Sequence, residues 1–172
     1  MGGDTGGFTS SHLAKEGIAR EGSTDEVQFS REDLEKILPH RDLALFIGSA
    51  SVNTVKKTGR GILSAEIATP AFRGHFPGEP VMPGHWLVEF VSLTCAVTFT
   101  VTTGIQLDRS SGVRLISLDK CRFLMAARPG DVLICEAVMH RHNRRLASFS
   151  AMIRNEQGGI VAIIERLIGA IV

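Results

Sequence analysis

His75 and Glu89 flank a stretch rich in turn residues, GHFPGEPVMPGHWLVEF at 74–90. Histidine ordinarily titrates near neutrality, which suits it to take up and return a proton. A glutamate set in an apolar run such as WLVEFV is disfavoured as the anion and tends to stay protonated, which suits a proton donor. A base and an acid held by one rigid turn could take a proton from a substrate and give one to it. Turn residues alone need neither group. Spacing by itself does not establish contact: a lone histidine in a turn is usually structural, and a lone helix glutamate is usually at the surface.

These two side chains need a framework. Residues 85–103 are apolar almost throughout, and although VTFTVTT favours a strand, the length favours a buried helix. A membrane-spanning helix needs roughly 20 apolar residues, and Glu89 with several Ser and Thr argues for a protein core instead. Pro83-Gly84 marks the helix start. Before the turn, LALFIGSASV and GRGILSAEIA alternate with period two around NTVKKTG and predict a hairpin. Earlier still, Ser30 as cap, Asp33 three residues on and Phe29 able to contact Leu34 predict a short helix ended by Pro39. After Gly104 four strand-like runs follow, VRLISLDKCRFLMA, DVLICEAVMH, LASFSAMIR and IVAIIERLIGAIV, with turns at ARPGD, HRHNRR and NEQGG. Strands, one long helix, then strands predict an α+β fold with an antiparallel sheet.

Composition narrows the field. A chain of 172 residues suits one domain. Residues 1–29, rich in Gly, Ser, Thr and charge, are expected to be a flexible tail, leaving 30–172 as the folded unit. A net charge of +1, one Trp and no Tyr give nucleic-acid binding little support. Cys95, Cys121 and Cys135 form no closely spaced pair, so no metal site is expected, and free thiols suit a reducing compartment. The N-terminus lacks the basic and apolar regions of a secretory signal, so a cytoplasmic location is expected.

LPHR at 38–41, GHFPGEPVMPG at 74–84, Glu89 at its spacing from His75, and RPGD at 128–131 together resemble the hot-dog-fold β-hydroxyacyl-acyl-carrier-protein dehydratases (FabZ/FabA-like). The resemblance covers nearly everything after residue 29. It implies a single hot-dog domain, an antiparallel sheet wrapped around the central helix, and dehydration of a 3-hydroxyacyl thioester to the trans-2-enoyl product. It implies His75 as base and Glu89 as acid, with the Gly84 N–H on the thioester carbonyl and the Val81 carbonyl orienting His75. Phe76 and Pro83 belong to the same substrate-binding loop, and the His75–Phe76 peptide is expected to be cis. No cofactor is implied. The partners implied are an acyl carrier protein and a second copy of the chain, as a homodimer or a trimer of dimers, with His75 of one protomer facing Glu89 of the other.

Two residues depart from the pattern. Leu93 stands where the family often has a Gln able to bond the acid, and His85 stands where an apolar residue is usual. His85 reads as a pocket-mouth residue and Trp86 as core or pocket wall. The basic run 140–145, Arg122 and Arg128 are candidates for carrier docking, although 140–145 reads first as a solvated hairpin tip. The alternatives are a dehydratase/isomerase, which normally uses Asp as its acid, a hot-dog thioesterase, which lacks the His-Phe-Pro-Gly loop, and a non-catalytic acyl-binding subunit.

Overall fold

The computed structural model describes residues 20–21, 25–107 and 113–171. One antiparallel sheet runs in the order β1-β2-β3-β4-β6-β7-β8-β5. Its strands are β1 (Arg20–Glu21), β2 (Glu26–Phe29), β3 (Ser49–Asn53), β4 (Thr58–Leu63), β5 (Val113–Phe123), β6 (Leu133–His142), β7 (Leu146–Asn155) and β8 (Ile160–Ile171). Helices α1 (Arg31–Ile37), α2 (Ala65–Ala68) and α3 (Gly84–Thr103) complete the fold. The sheet wraps α3, which packs on β3, β4, β6 and β7. This is the expected α+β hot-dog architecture.

The strand-like second half of α3 is helical, and three of its threonine hydroxyls bond back to the helix. Thr94, Thr98 and Thr103 donate to the carbonyls of Phe90, Thr94 and Phe99 at 2.7–2.9 Å. These three hydroxyls are thereby satisfied without unwinding a turn, whereas those of Thr100 and Thr102 have no hydrogen-bond partner among the described residues. Gly104, at φ 71°, closes the helix with its N–H on the Thr100 carbonyl. The sheet approaches α3 closely because β4 carries glycine where it faces the helix. A Cβ on Gly59 would fall on the Thr98 hydroxyl, and one on Gly61 on the Thr94 hydroxyl. The most apolar window of α3 is two-thirds buried, as a core helix requires.

Three expectations need correction. The boundary at 29/30 falls inside the fold: β2 pairs along β3 and Phe29 is 2% exposed, so burial of its ring ties this segment to the core. Of the expected tail, residues 1–19 and 22–24 lie outside the described residues. Leu43–Phe46 does not extend the first hairpin strand. Asp42–Ala44 forms a 3-10 turn, and the Arg31 guanidinium donates to the Leu45 and Ile47 carbonyls at 2.9 and 2.8 Å, replacing ladder partners. Ala65–Ala68 at the end of the second strand run is a single helical turn leading into Pro70, which cannot donate to a ladder.

The short helix forms as its sequence dictates. Ser30 and Asp33 make a reciprocal capping box, and α1 ends at Ile37, before Pro39. Its buried Leu34 and Ile37 hold the segment leading to His40 against the core.

Candidate active site

The loop 73–83 is built by its own backbone. Gly74 and Gly78 sit at φ 80° and 86°, a region open to glycine and strained for most other residues. Phe76 and Glu79 exchange backbone hydrogen bonds at 3.2 Å in each direction, and the Val81 N–H donates to the His75 carbonyl at 2.8 Å. The His75–Phe76 peptide is cis, and the two rings stack with centroids 3.9 Å apart. At the exit of the loop the Met82 N–H donates to the Ala127 carbonyl at 2.9 Å. Arg128 pairs with Glu79 at 3.2 Å. The loop is thus tied to the β5–β6 connection from two sides.

His75 is oriented by this turn. Its Nδ1 lies 3.0 Å from the Val81 carbonyl oxygen. A carbonyl oxygen only accepts, so Nδ1 carries the proton and Nε2 keeps its lone pair. That tautomer can accept a proton from a substrate.

Pro83 and Gly84 open α3, and Pro83 provides no side-chain cap. The first N–H groups of a helix have no intrahelical acceptor and favour developing negative charge. Gly84 allows the Phe123 ring to pack closely against the helix start. A Cβ at that position would meet the Phe123 ring at 2.7 Å. Val81, Gly84, Leu87, Phe123 and Met125 line a cavity of about 330 Å³ beside this helix start.

Glu89 lies further along α3, half-buried, and lines a different cavity of about 260 Å³. Leu93, Cys95, Phe99 and Phe149 form apolar walls there, and His40 and His85 also face it. Burial pushes the Glu89 pKa up, as expected for a carboxyl kept protonated. Burial, and then the neighbouring Arg41 charge, push the His40 pKa down, favouring its neutral ring. Arg41 Nη1 donates to the Leu38 and His40 carbonyls at 2.8 and 2.6 Å, which fixes the turn behind that ring.

The structure therefore brings His75, Phe76, Val81, Pro83 and Gly84 into one loop and helix start. His75 is not among the walls of the Glu89 cavity. Exposed His85 lines that cavity, while Trp86 packs against the core with its ring 4.6 Å from Phe46. Leu93 is buried beside the acid. Of the basic candidates, Arg122 pairs with Glu165 at 2.9 Å and Arg128 with Glu79. In the β6–β7 tip the Asn143 side chain accepts from the Arg145 and Leu146 N–H groups at 2.8 Å, and Arg141, Arg144 and Arg145 are exposed. Among the described residues, no cluster of three or more His, Cys, Asp or Glu could hold a metal ion.

Sequence reasoning missed two residues. Phe123 was only one apolar residue of a strand run, and its placement over Gly84 depends on the β5–β8 register. His40 stood within LPHR without a role. The one local signal was a histidine fixed between Pro39 and an arginine.

The FabA-like domain family matches residues 38–163. The 3-hydroxyacyl-[acyl-carrier-protein] dehydratase FabZ of Alkalilimnicola ehrlichii is 34% identical over 69% of this chain and 77% of its own length. The bifunctional enzyme LpxC/FabZ of Chlorobaculum tepidum is 33% identical over 73% of this chain, which spans only 26% of that protein. The dehydratase heterocomplex ApeI:P of Xenorhabdus doucetiae superposes with a TM-score of 0.67 at 16% identity, over 81% of this chain and 90% of that one, a likeness of fold. Matched over most of its length and built on the same fold, the chain belongs to the FabA-like family, whose FabZ members are 3-hydroxyacyl-acyl-carrier-protein dehydratases.

Proposed function

We propose that this protein is a hydro-lyase that dehydrates a 3-hydroxyacyl thioester on an acyl carrier protein, with His75 as base and Glu89 as acid. The observation that carries the reading is the bond between His75 Nδ1 and the Val81 carbonyl, which leaves Nε2 free to accept a proton. Nε2 takes the proton from C2, and the C2–H electron pair becomes the C2–C3 π bond. The C3–O bond breaks, and the hydroxyl leaves as water with the Glu89 proton. Negative charge on the thioester carbonyl is met by the Gly84 N–H at the α3 start. Product release returns the proton from His75 to Glu89 through solvent. The step as written uses no cofactor.

The active unit is a homodimer in this reading. Within one protomer His75 is not among the walls of the Glu89 cavity, so a shared site needs the histidine of one copy and the acid of another. Edge strand β5 and its continuation expose Ile116, Phe123, Leu124 and Met125, an apolar strip suited to a second copy. The free thiols Cys95, Cys121 and Cys135 support a reducing, cytoplasmic setting.

Conversion of a 3-hydroxyacyl carrier thioester to its enoyl product tests the activity, and formation of a cis-3 product or of free acid would instead favour an isomerase or a thioesterase. Mixing inactive His75→Ala with inactive Glu89→Ala protein should restore part of the activity through hybrid dimers. No recovery after confirmed subunit exchange would refute the shared site.

A further inference from the structure

His40 Nδ1 is sealed from solvent and has no hydrogen-bond partner among the described residues. Buried polar atoms of folded proteins nearly always have partners, so an unpartnered one on a residue that lines a cavity points to a contact made with the site occupied. His40 and Glu89 line the same cavity from different elements, the α1–β3 connection and α3. The other ionisable groups around that cavity are His85 on α3, Cys95 on α3 and Arg114 on β5. His85 is exposed and so screened by water, while burial pushes the Cys95 thiol well up. The helix position one turn after Glu89 is Leu93, which has no donor. His40, with its loop fixed by Arg41, is a half-buried donor in the same lining.

We propose that His40 is a positioning residue that donates from Nδ1 to the Glu89 carboxyl in the substrate-bound enzyme. The bond turns the acidic O–H toward the substrate and strengthens as Glu89 becomes a carboxylate on protonating the leaving hydroxyl. The neutral ring has one donor and one acceptor nitrogen, so Nδ1–H fills this role without His40 changing charge. This role rests on the assignment of Glu89 as the acid.

The test compares pH profiles of kcat and kcat/KM for wild type, His40→Phe, His40→Asn and Glu89→Gln, with thermal melting as a check on folding. Asn places an amide N–H near the Nδ1 position, whereas Phe has no donor. His40→Phe should lower kcat about ten-fold or more with little change in KM, since only the proton-donation step is impaired. Without the donor the carboxylate is less stabilised, so the alkaline limb should move to higher pH. His40→Asn should return both toward wild type. If phenylalanine unfolds the loop, His40→Leu carries the same comparison. An unmoved limb, or Asn as impaired as Phe, would overturn the proposal provided Glu89→Gln is inactive. Full activity of Glu89→Gln would instead remove Glu89 as the acid, and this role for His40 with it.

Discussion

The imidazole of His75 is held by the carbonyl of Val81, 3.0 Å from Nδ1, six residues later in the same loop. The Val81 N–H returns a bond to the His75 carbonyl, so one short segment fixes both the backbone and the ring of the histidine. The tautomer follows from the acceptor: Nδ1 is protonated and Nε2 is basic. His75→Gln removes the base while keeping much of the side-chain volume. It should lower kcat by about 10²–10⁴-fold with the melting temperature little changed. Steady-state kinetics alongside differential scanning calorimetry checks this, and retention of near wild-type turnover would exclude His75 as base.

Gly84 and Phe123 give a second test. A methyl at 84 cannot coexist with the Phe123 ring where it stands, since the two would meet at 2.7 Å. Phe123 is 52% exposed, so the ring can swing away at modest cost in stability. Gly84→Ala should therefore leave the protein folded and displace the ring from the α3 start. Activity should fall toward the roughly 10²–10³-fold loss of removing an oxyanion donor. Adding Phe123→Ala removes the clash but leaves the new methyl at the helix start. Melting of the double variant should recover while activity does not; recovery of both would show that Gly84 serves packing alone.

The approach of β4 to α3 is similarly tight but has no flexible partner. A Cβ on Gly61 would strike the Thr94 hydroxyl and crowd Ile47 and Phe90, all of them buried and held by their neighbours. Gly61→Ala should therefore destabilise the fold by about 1–3 kcal/mol, the usual cost of overpacking. Urea denaturation measures it. Thr94→Ala in the same chain should recover part of the loss, because it removes the struck hydroxyl.

Much of this was legible because it depends on local sequence. Length outweighed the β-propensity of VTFTVTT, and the threonine hydroxyls bonding back along α3 show why the helix tolerates it. The capping box at Ser30 and the turn around Gly74 and Gly78 are likewise written in neighbouring residues. What sequence could not supply was long-range placement. Glu26–Phe29 looks like a polar tail until β3 offers it a ladder and the core offers Phe29 a pocket. Leu43–Phe46 alternates like a strand, yet Arg31, well before it in sequence, takes the Leu45 and Ile47 carbonyls. His40 and Glu89 meet one cavity only because α1 and α3 are packed together.

The apolar strip along β5 predicts assembly. Ile116 and Leu124 are 57% and 56% exposed on an edge strand and its continuation, a cost that a second copy would remove. Replacing both with glutamate should shift the protein to a monomer by sedimentation velocity and abolish activity together with dimerisation. A monomeric wild type, or an active monomeric variant, would contradict a site shared between copies.

Glu89 links the site to stability through pH. Burial raises its pKa in the folded chain above the ordinary carboxylate value, so folding favours the protonated form. Below the ordinary carboxylate range both folded and unfolded chains are protonated at this position, and it contributes no pH dependence. As pH rises through that range the unfolded chain loses the proton first, so it binds fewer protons than the folded one and stability falls until the folded group also ionises. Above that point the penalty is constant. Glu89→Gln cannot ionise and escapes it. Melting temperatures of the two proteins, measured from acidic to neutral pH, should diverge as pH rises, with Glu89→Gln the more stable at neutrality and inactive throughout. Parallel melting curves at all pH values would mean that Glu89 is not held in its neutral form by the fold, and would take away its suitability as the acid.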